Sequence, residues 1–158
     1  VLAGEGDLVE VVGKVERLVV SDVDDTIAAV LRDRDVETAL IEAFSSRRLT
    51  REMVAEADLV LTAEASHRSF VLEEAPGAFR KAFTLGQFAE TIGRLDPSLT
   101  GRALVNAAGH RRAGASATHD IADPYRRGRP AAETAADQID ALLTAVLPRL
   151  SGQHGARA

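Results

Sequence analysis

Short apolar runs alternate with longer stretches of helical spacing along this chain. The compact apolar runs at 8–12, 18–20, 57–62 and 81–84 predict short buried strands. The intervening segments predict helices, at about 25–32, 36–44, 51–56, 64–74, 85–93, 97–108 and 131–150. This alternation predicts an α/β domain with a parallel, flavodoxin-like sheet and helices on both faces.

Several polar residues mark where these helices begin and end. Asp24 or Asp25 can cap the first helix and Thr50 the third, while Thr84 with Gln87 forms a capping box. The closing helix is the most regular, and we expect it to bury one apolar stripe against the sheet, comprising Ile139, Leu143, Val146 and Leu150.

Composition limits the possible functions. The 158 residues predict one domain over 1–150 and a flexible tail over 151–158. Nineteen basic and twenty-four acidic residues give a net charge of -5, which disfavours nucleic acid and anionic membranes as partners. The chain contains no cysteine and no membrane-length apolar run, so we expect a cytoplasmic protein without thiolate chemistry, cofactor or metal. The oligomeric state is left open.

Asp123, followed by Pro124 and Tyr125, is the main candidate for chemistry. Pro124 fixes the backbone beside Asp123, so the carboxyl group could be aimed at a leaving group as a general acid. The alternative is a simple turn ahead of the closing helix. Tyr125 could wall a substrate ring or pack beside that helix. In a parallel sheet, Asp123 should lie at the same edge as Ser21 and Thr62.

An ordered set of segments resembles the low-molecular-weight protein tyrosine phosphatase family over about residues 24–150. The matching pieces are 48–50, 54–62, 67–68, 71–73, 75–76, 83–85, 88–89 and 120–125. The resemblance implies a flavodoxin-like fold and a two-step hydrolysis of phosphate monoesters, on phosphorylated proteins or small esters. In active members a thiolate in a Cys-x5-Arg loop attacks phosphorus. The aspartate at the position of Asp123 then protonates the leaving oxygen. Related members reduce arsenate with the same loop.

The first residues depart from this family. Residues 1–21 contain no Cys-x5-Arg loop, and two carboxylates stand at Gly4–Asp7. Ala63 replaces a common methionine, and Arg126 follows Tyr125 in place of the usual continuation. We therefore expect a domain that is truncated or degenerate at its N-terminus and inactive for want of the nucleophile. The main alternative is a pseudophosphatase that binds partners or stabilises an oligomer.

A second motif competes with this interpretation. The segment from Leu18 to Thr26 resembles the first motif of haloacid-dehalogenase-type phosphatases, in which carboxylates at the positions of Asp22 and Asp24 hold Mg²⁺ and attack phosphorus. Thr62, Lys81 and the pair Asp120 and Asp123 could supply its later motifs, although the spacing is compressed. The simpler interpretation is a loop whose carboxylates cap a helix.

The remaining polar residues are weaker candidates. His67 is expected to be a surface or packing residue, and His119 with Asp120 lacks the further ligands of a metal site. Two basic clusters flank the Asp-Pro sequence, 110–112 and 126–129. Each is either a solvated loop or a rim that attracts anions.

Overall fold

Three parallel strands form the sheet of this computed structural model, which describes residues 9–12, 23–45, 48–114 and 116–152. The strands lie in the order β1 (Val9–Val12), β2 (Leu59–Thr62) and β3 (Ala82–Thr84). Val9 is opposite Leu59, and Val60 is opposite Ala82. The predicted parallel α/β fold is confirmed. The strand predicted at 18–20 lies outside the described residues.

The helices follow the predicted order closely. They are α1 (Asp25–Arg32), α2 (Thr38–Ala43), α3 (Arg51–Glu56), α4 (Ala65–Glu74), α5 (Leu85–Gly93), α6 (Gly101–His110) and α7 (Arg129–Leu150), with 3₁₀ turns at Pro76–Arg80 and Ala117–His119. Only α6 begins clearly later than predicted, at Gly101 rather than at residue 97. The Asp96 carboxylate accepts hydrogen bonds from the Ser98 backbone and hydroxyl, which makes a turn there in place of a helix.

The predicted helix caps are present, with one difference. Asp24 accepts hydrogen bonds from the N–H groups of Thr26 and Ile27, and Thr50 caps α3. The Thr84 hydroxyl accepts from the Gln87 N–H at 3.1 Å. The Gln87 side chain, however, donates to the Ala113 carbonyl at 2.8 Å, so the reciprocal half of the capping box is missing.

Side chains of the sheet alternate between two apolar clusters. Leu59, Leu61 and Phe83 join the cluster formed with residues of α5, α6 and α7. Val60 and Ala82 join the opposite cluster, with residues of α3 and α4. Both faces of the sheet are therefore covered by helices, as predicted.

Helix α7 closes the domain. Val146 is fully buried, and Ile139, Leu143 and Leu150 are partly buried against the cluster that includes Leu59 and Leu61. Its main contacts are with α1, α5 and α6 rather than with the strands, so the expected stripe is correct but its neighbours are mostly helices. None of the described helices is long and apolar enough to cross a membrane.

Charged side chains join α7 to other parts of the domain. Arg34, just beyond α1, forms ion pairs with Asp137 and Asp140, and Arg129 pairs with Asp33. At the other end of α7, the Arg149 guanidinium donates to three carbonyls, those of Ile92, Asp96 and Leu99.

Candidate active site

The site begins at the carboxyl end of β2. Thr62, the last residue of β2, is fully buried, and its hydroxyl donates to the carbonyls of Glu64 and Phe83. The next carbonyl, that of Ala63, accepts a hydrogen bond of 2.9 Å from the Ile121 N–H. The loop that leads to Asp123 is therefore attached at the same edge of the sheet as Thr62, as predicted. Ser21 lies outside the described residues.

Asp120 fixes the same loop from two sides. Its carboxylate accepts a hydrogen bond of 2.9 Å from the N–H of Ala65, the first residue of α4. Its carbonyl accepts a hydrogen bond of 3.1 Å from the Gln138 side chain of α7. Ile121 beside it is buried in the core. Residues 120–121 thus form a rigid support for the exposed residues that follow.

His119 fastens the segment just before this support. Its ring is buried, and its Nε2 donates to the Glu90 carboxylate of α5. This hydrogen bond is the largest cause of a lowered pKa for Glu90. The backbone of His119 also lies against Gly86, where a Cβ atom would stand 2.6 Å from the His119 carbonyl oxygen. His119 therefore fastens this loop to α5.

Asp123 lies on the exposed part of the loop. One oxygen of its carboxylate accepts a hydrogen bond of 2.9 Å from the Tyr125 N–H, which makes a local turn. Tyr125 is 51% exposed, and the guanidinium of Arg126 lies 5.0 Å from the centre of its ring. The turn ties the Asp123 carboxylate to the main chain of Tyr125.

An apolar groove of about 650 Å³ lies between Tyr125 and the first two helices. The sequence analysis did not predict this groove. Its clearest sign is the exposure of two large apolar side chains, Leu40 and Phe44. Among the described residues, Asp24 is the one charged lining residue, and the rest of the lining is Val23, Ile27, Leu31, Val36, Leu40, Ile41, Phe44 and Tyr125. The groove therefore suits an aromatic or aliphatic group better than an anion.

Comparison with solved structures agrees with this arrangement. Wzb of Vibrio vulnificus, in complex with benzylphosphonate, matches with 25% identity and a TM-score of 0.54, over 78% of this chain and 64% of that one. The YwlE arginine phosphatase of Geobacillus stearothermophilus matches with 22% identity and a TM-score of 0.60, over 88% and 71% of the two chains. The tyrosine phosphatase AmsI of Erwinia amylovora matches with 20% identity and a TM-score of 0.61, over 85% and 69%.

The fold is that of the low-molecular-weight protein tyrosine phosphatases. The resemblance noted in the sequence is thereby confirmed at the level of the fold. No protein-family model and no curated protein matches the sequence. The chain spans 64% of the length of the Wzb chain, so the activity of a whole phosphatase is not transferred to it directly.

Two of the residues proposed for a dehalogenase-type site, Lys81 and Asp24, have structural partners instead. Lys81 donates to the carbonyls of Ala55 and Ala57, at the start of β3 rather than at its carboxyl end. The Asp24 carboxylate caps α1, and Asp22 lies outside the described residues. Among the residues that the structure describes, no group of three His, Cys, Asp or Glu could hold a metal ion.

The remaining candidates have structural surroundings. His67 is buried as a packing residue, and neither ring nitrogen is hydrogen bonded to a residue that the structure describes. Arg129 is occupied by Asp33 and Glu133, so it does not contribute to a rim that attracts anions. Arg112 donates to the Ala82 carbonyl at the start of β3 and does not contact the Asp-Pro loop. Arg126 and Arg127 are exposed beside Tyr125.

Proposed function

We propose that the chain is a phosphatase-like domain in which Asp123 occupies the general-acid position and Tyr125 forms the wall for a substrate ring. The 158 residues themselves do not hydrolyse phosphate monoesters, because they contain no cysteine to supply the thiolate. The natural substrate class would be a phosphorylated protein or a small phosphate ester. The solved relatives are described as tyrosine and arginine phosphatases, which agrees with that class.

The observation that carries this proposal is the Ile121 to Ala63 hydrogen bond at the carboxyl end of β2. Ligands of parallel α/β sheets bind outside this edge. Asp123 follows Ile121 by two residues, so its exposed carboxylate is within reach of a ligand held there.

The lining of the groove supports binding without turnover. Tyr125 and Phe44 offer aromatic faces, but the lining residues that the structure describes include no arginine, lysine or histidine to neutralise a phosphate dianion. Asp24 would repel such a dianion. A bound aryl phosphate would therefore place its ring in the groove and leave its phosphoryl group in solvent.

The purified 158-residue chain, assayed with an aryl phosphate, tests the proposal. We expect no turnover above background, with or without Mg²⁺, and weak vanadate binding. Benzylphosphonate at millimolar concentration should shift the amide signals of Asp123 and Tyr125, and Tyr125→Ala should remove the shifts. Vanadate-sensitive turnover at an ordinary phosphatase rate would overturn the inactive assignment. Shifts that are unaffected by Tyr125→Ala would overturn the assignment of the ring site.

A second candidate function is that of a partner-binding pseudophosphatase. It is supported by Leu40, which is 62% exposed, together with the half-exposed Phe44 and Tyr125 around one groove. If this candidate is correct, the charge-neutral variant Leu40→Gln should weaken capture of the partner while the benzylphosphonate shifts at Asp123 persist. An unchanged partner affinity would exclude the groove as the binding surface.

The dehalogenase-type function is the third candidate, and it requires Mg²⁺. Adding Mg²⁺ should then produce phosphatase activity that Asp22→Asn abolishes, because the carboxylate would be both nucleophile and metal ligand. The positions of Lys81 and Asp24 favour the opposite result, an unchanged background rate.

A further inference from the structure

Two arginines converge on one carbonyl at the outer edge of the sheet. The Arg68 Nε of α4 and the Arg112 Nη1 beyond α6 each donate to the Ala82 carbonyl oxygen at 2.8 Å. Within the described sheet β3 pairs with β2 on one side, and the Ala82 carbonyl faces the other. The two guanidinium groups therefore stand within a few ångströms of each other and cover the open edge of β3.

Aromatic rings hold both arginines in place. The central carbon of Arg112 lies 4.9 Å from the ring centre of Phe79 and 3.9 Å from that of Phe83. The corresponding distance from Arg68 to Phe79 is 5.5 Å. Phe79 is 54% exposed, so one side of its ring contacts the guanidinium groups and the other contacts solvent.

A glycine allows this close arrangement. A Cβ atom on Gly109 would stand 2.5 Å from the Arg80 carbonyl oxygen, so a larger residue would separate α6 from the 76–80 turn. Arg80 donates to His110 Nε2 at 2.7 Å across the same contact. The 76–80 turn that carries Phe79 is thus held against α6.

The charges of this pair are not balanced by carboxylates. Several arginines that link elements here have an acidic partner, for example Arg34 with Asp137 and Arg102 with Asp58. Neither Arg68 nor Arg112 forms an ion pair with any residue that the structure describes. Burial lowers the pKa of Arg68, and burial together with the Arg68 charge lowers the pKa of Arg112 to about 10.

Each guanidinium also keeps a donor without a partner. Arg68 Nη2 and Arg112 Nε are shielded from solvent and make no hydrogen bond with any residue of the described ranges. Unpaired charged donors in such a position are costly, and an oxyanion supplies both the negative charge and the acceptors that they lack. We propose that the cluster formed by Arg68, Phe79 and Arg112 binds a tetrahedral oxyanion of the phosphate class. The exposed Phe79 ring must rotate to admit it.

Titration with inorganic phosphate at constant ionic strength, followed by amide chemical shifts and thermal unfolding, tests this site. Phosphate should shift the signals of residues 79–82 and 112 and raise the melting temperature of the parent. Arg112→Gln and Arg68→Gln should each weaken apparent affinity by about tenfold. Phe79→Ala should preserve or strengthen binding. Phenyl phosphate, titrated into the Tyr125→Ala variant so that the ring site is removed, is the second arm. Tighter binding than that of inorganic phosphate at residues 79–82 and 112 then indicates a phosphoryl group carried on a larger molecule.

Matched controls separate this site from the one at Asp123. Arg32→Gln removes an exposed arginine of α1 and should leave phosphate affinity unchanged, as should Tyr125→Ala. Because Arg32→Gln removes the same charge as the test variants, it reports whether a lost positive charge alone changes the response. The proposal is overturned if phosphate gives no shift in the parent, or if the Arg68 and Arg112 variants respond like the parent. Neither result bears on the role of Asp123.

Discussion

The main-chain N–H of Ile121 donates to the carbonyl of Ala63, one residue beyond the end of β2. This single bond links the loop that carries Asp123 to the edge of the sheet where ligands of parallel α/β folds bind. Hydrogen bonds of Asp120 to α4 and α7 add two further attachments. The exposed Asp123 therefore extends from a rigid support.

Asp120 should stabilise α4 as a cap that comes from a distant loop. Glu64, at the N-cap position, makes no side-chain cap, and the Asp120 carboxylate takes that role at Ala65. We expect Asp120→Ala to lower the free energy of unfolding by about 1 kcal/mol, as other lost caps do. Asp120→Asn keeps an acceptor and should cost only a few tenths. Urea unfolding distinguishes the two variants. Equal losses would show that the hydrogen bond to Ala65 contributes nothing.

Gly86 should be intolerant of a side chain. Its Cβ position lies 2.6 Å from the His119 carbonyl oxygen, which belongs to the backbone and cannot move away cheaply. Gly86→Ala should lower the free energy of unfolding by about 1–3 kcal/mol. Gly93, at the end of the same helix, has nothing within 4 Å, so Gly93→Ala should be neutral or stabilising by up to about 1 kcal/mol. Paired denaturation curves test this, and a stable Gly86→Ala variant would contradict the close packing.

The Glu90 to His119 contact should make stability depend on pH. The folded-state pKa of Glu90 is lowered from 4.5, so its ionised form stabilises the fold above that pH. This contribution is lost as the pH falls through the folded-state pKa. Glu90→Gln should therefore flatten the acid limb of the stability curve, measured as the urea midpoint between about pH 6 and pH 3. The exposed Glu73→Gln serves as the control. Identical acid limbs for Glu90→Gln and the parent would exclude this coupling.

Arg149 should be the most important arginine for attaching the end of α7. Its guanidinium donates to the carbonyls of Ile92, Asp96 and Leu99, which would otherwise lose their partner. We expect Arg149→Met to cost about 2 kcal/mol. Arg102→Met breaks an exposed pair with Asp58 and should cost about 0.5 kcal/mol or less. Denaturant unfolding measures both variants. If the two lose similar free energies of unfolding, Arg149 contributes no more to stability than an exposed ion pair.

Local patterns were sufficient to predict most of the fold. The strands at Leu59–Thr62 and Ala82–Thr84 are short apolar runs, and the caps at Thr50 and Thr84 are read from adjacent residues. The start of α6 was misplaced because the side chain of Asp96 competes locally for the backbone of Ser98. The reciprocal half of the Thr84 cap was also wrong, because Gln87 finds a partner at Ala113, 26 residues away.

The candidate site could be predicted only in part for a similar reason. The position of Asp123 follows from strand direction, so topology alone places its loop at the correct edge. Its role stays a prediction. Contacts between distant segments, such as His119 with Glu90 and Arg68 with Arg112 at Ala82, leave no local signal in the sequence. The groove likewise arises from the tertiary arrangement of α1, α2 and Tyr125.

The two walls of that groove are fastened by different forces. The Tyr125 wall follows a support held by main-chain and buried contacts, which dissolved ions hardly affect. The opposite wall belongs to α1, whose C-terminal end is fastened to α7 by ion pairs of Arg34 and Arg129 that reach the surface. Raising the ionic strength should therefore weaken the attachment of the α1 wall and leave the Tyr125 wall in place. Changing the salt concentration should thus change the width of the groove without altering any residue that lines it.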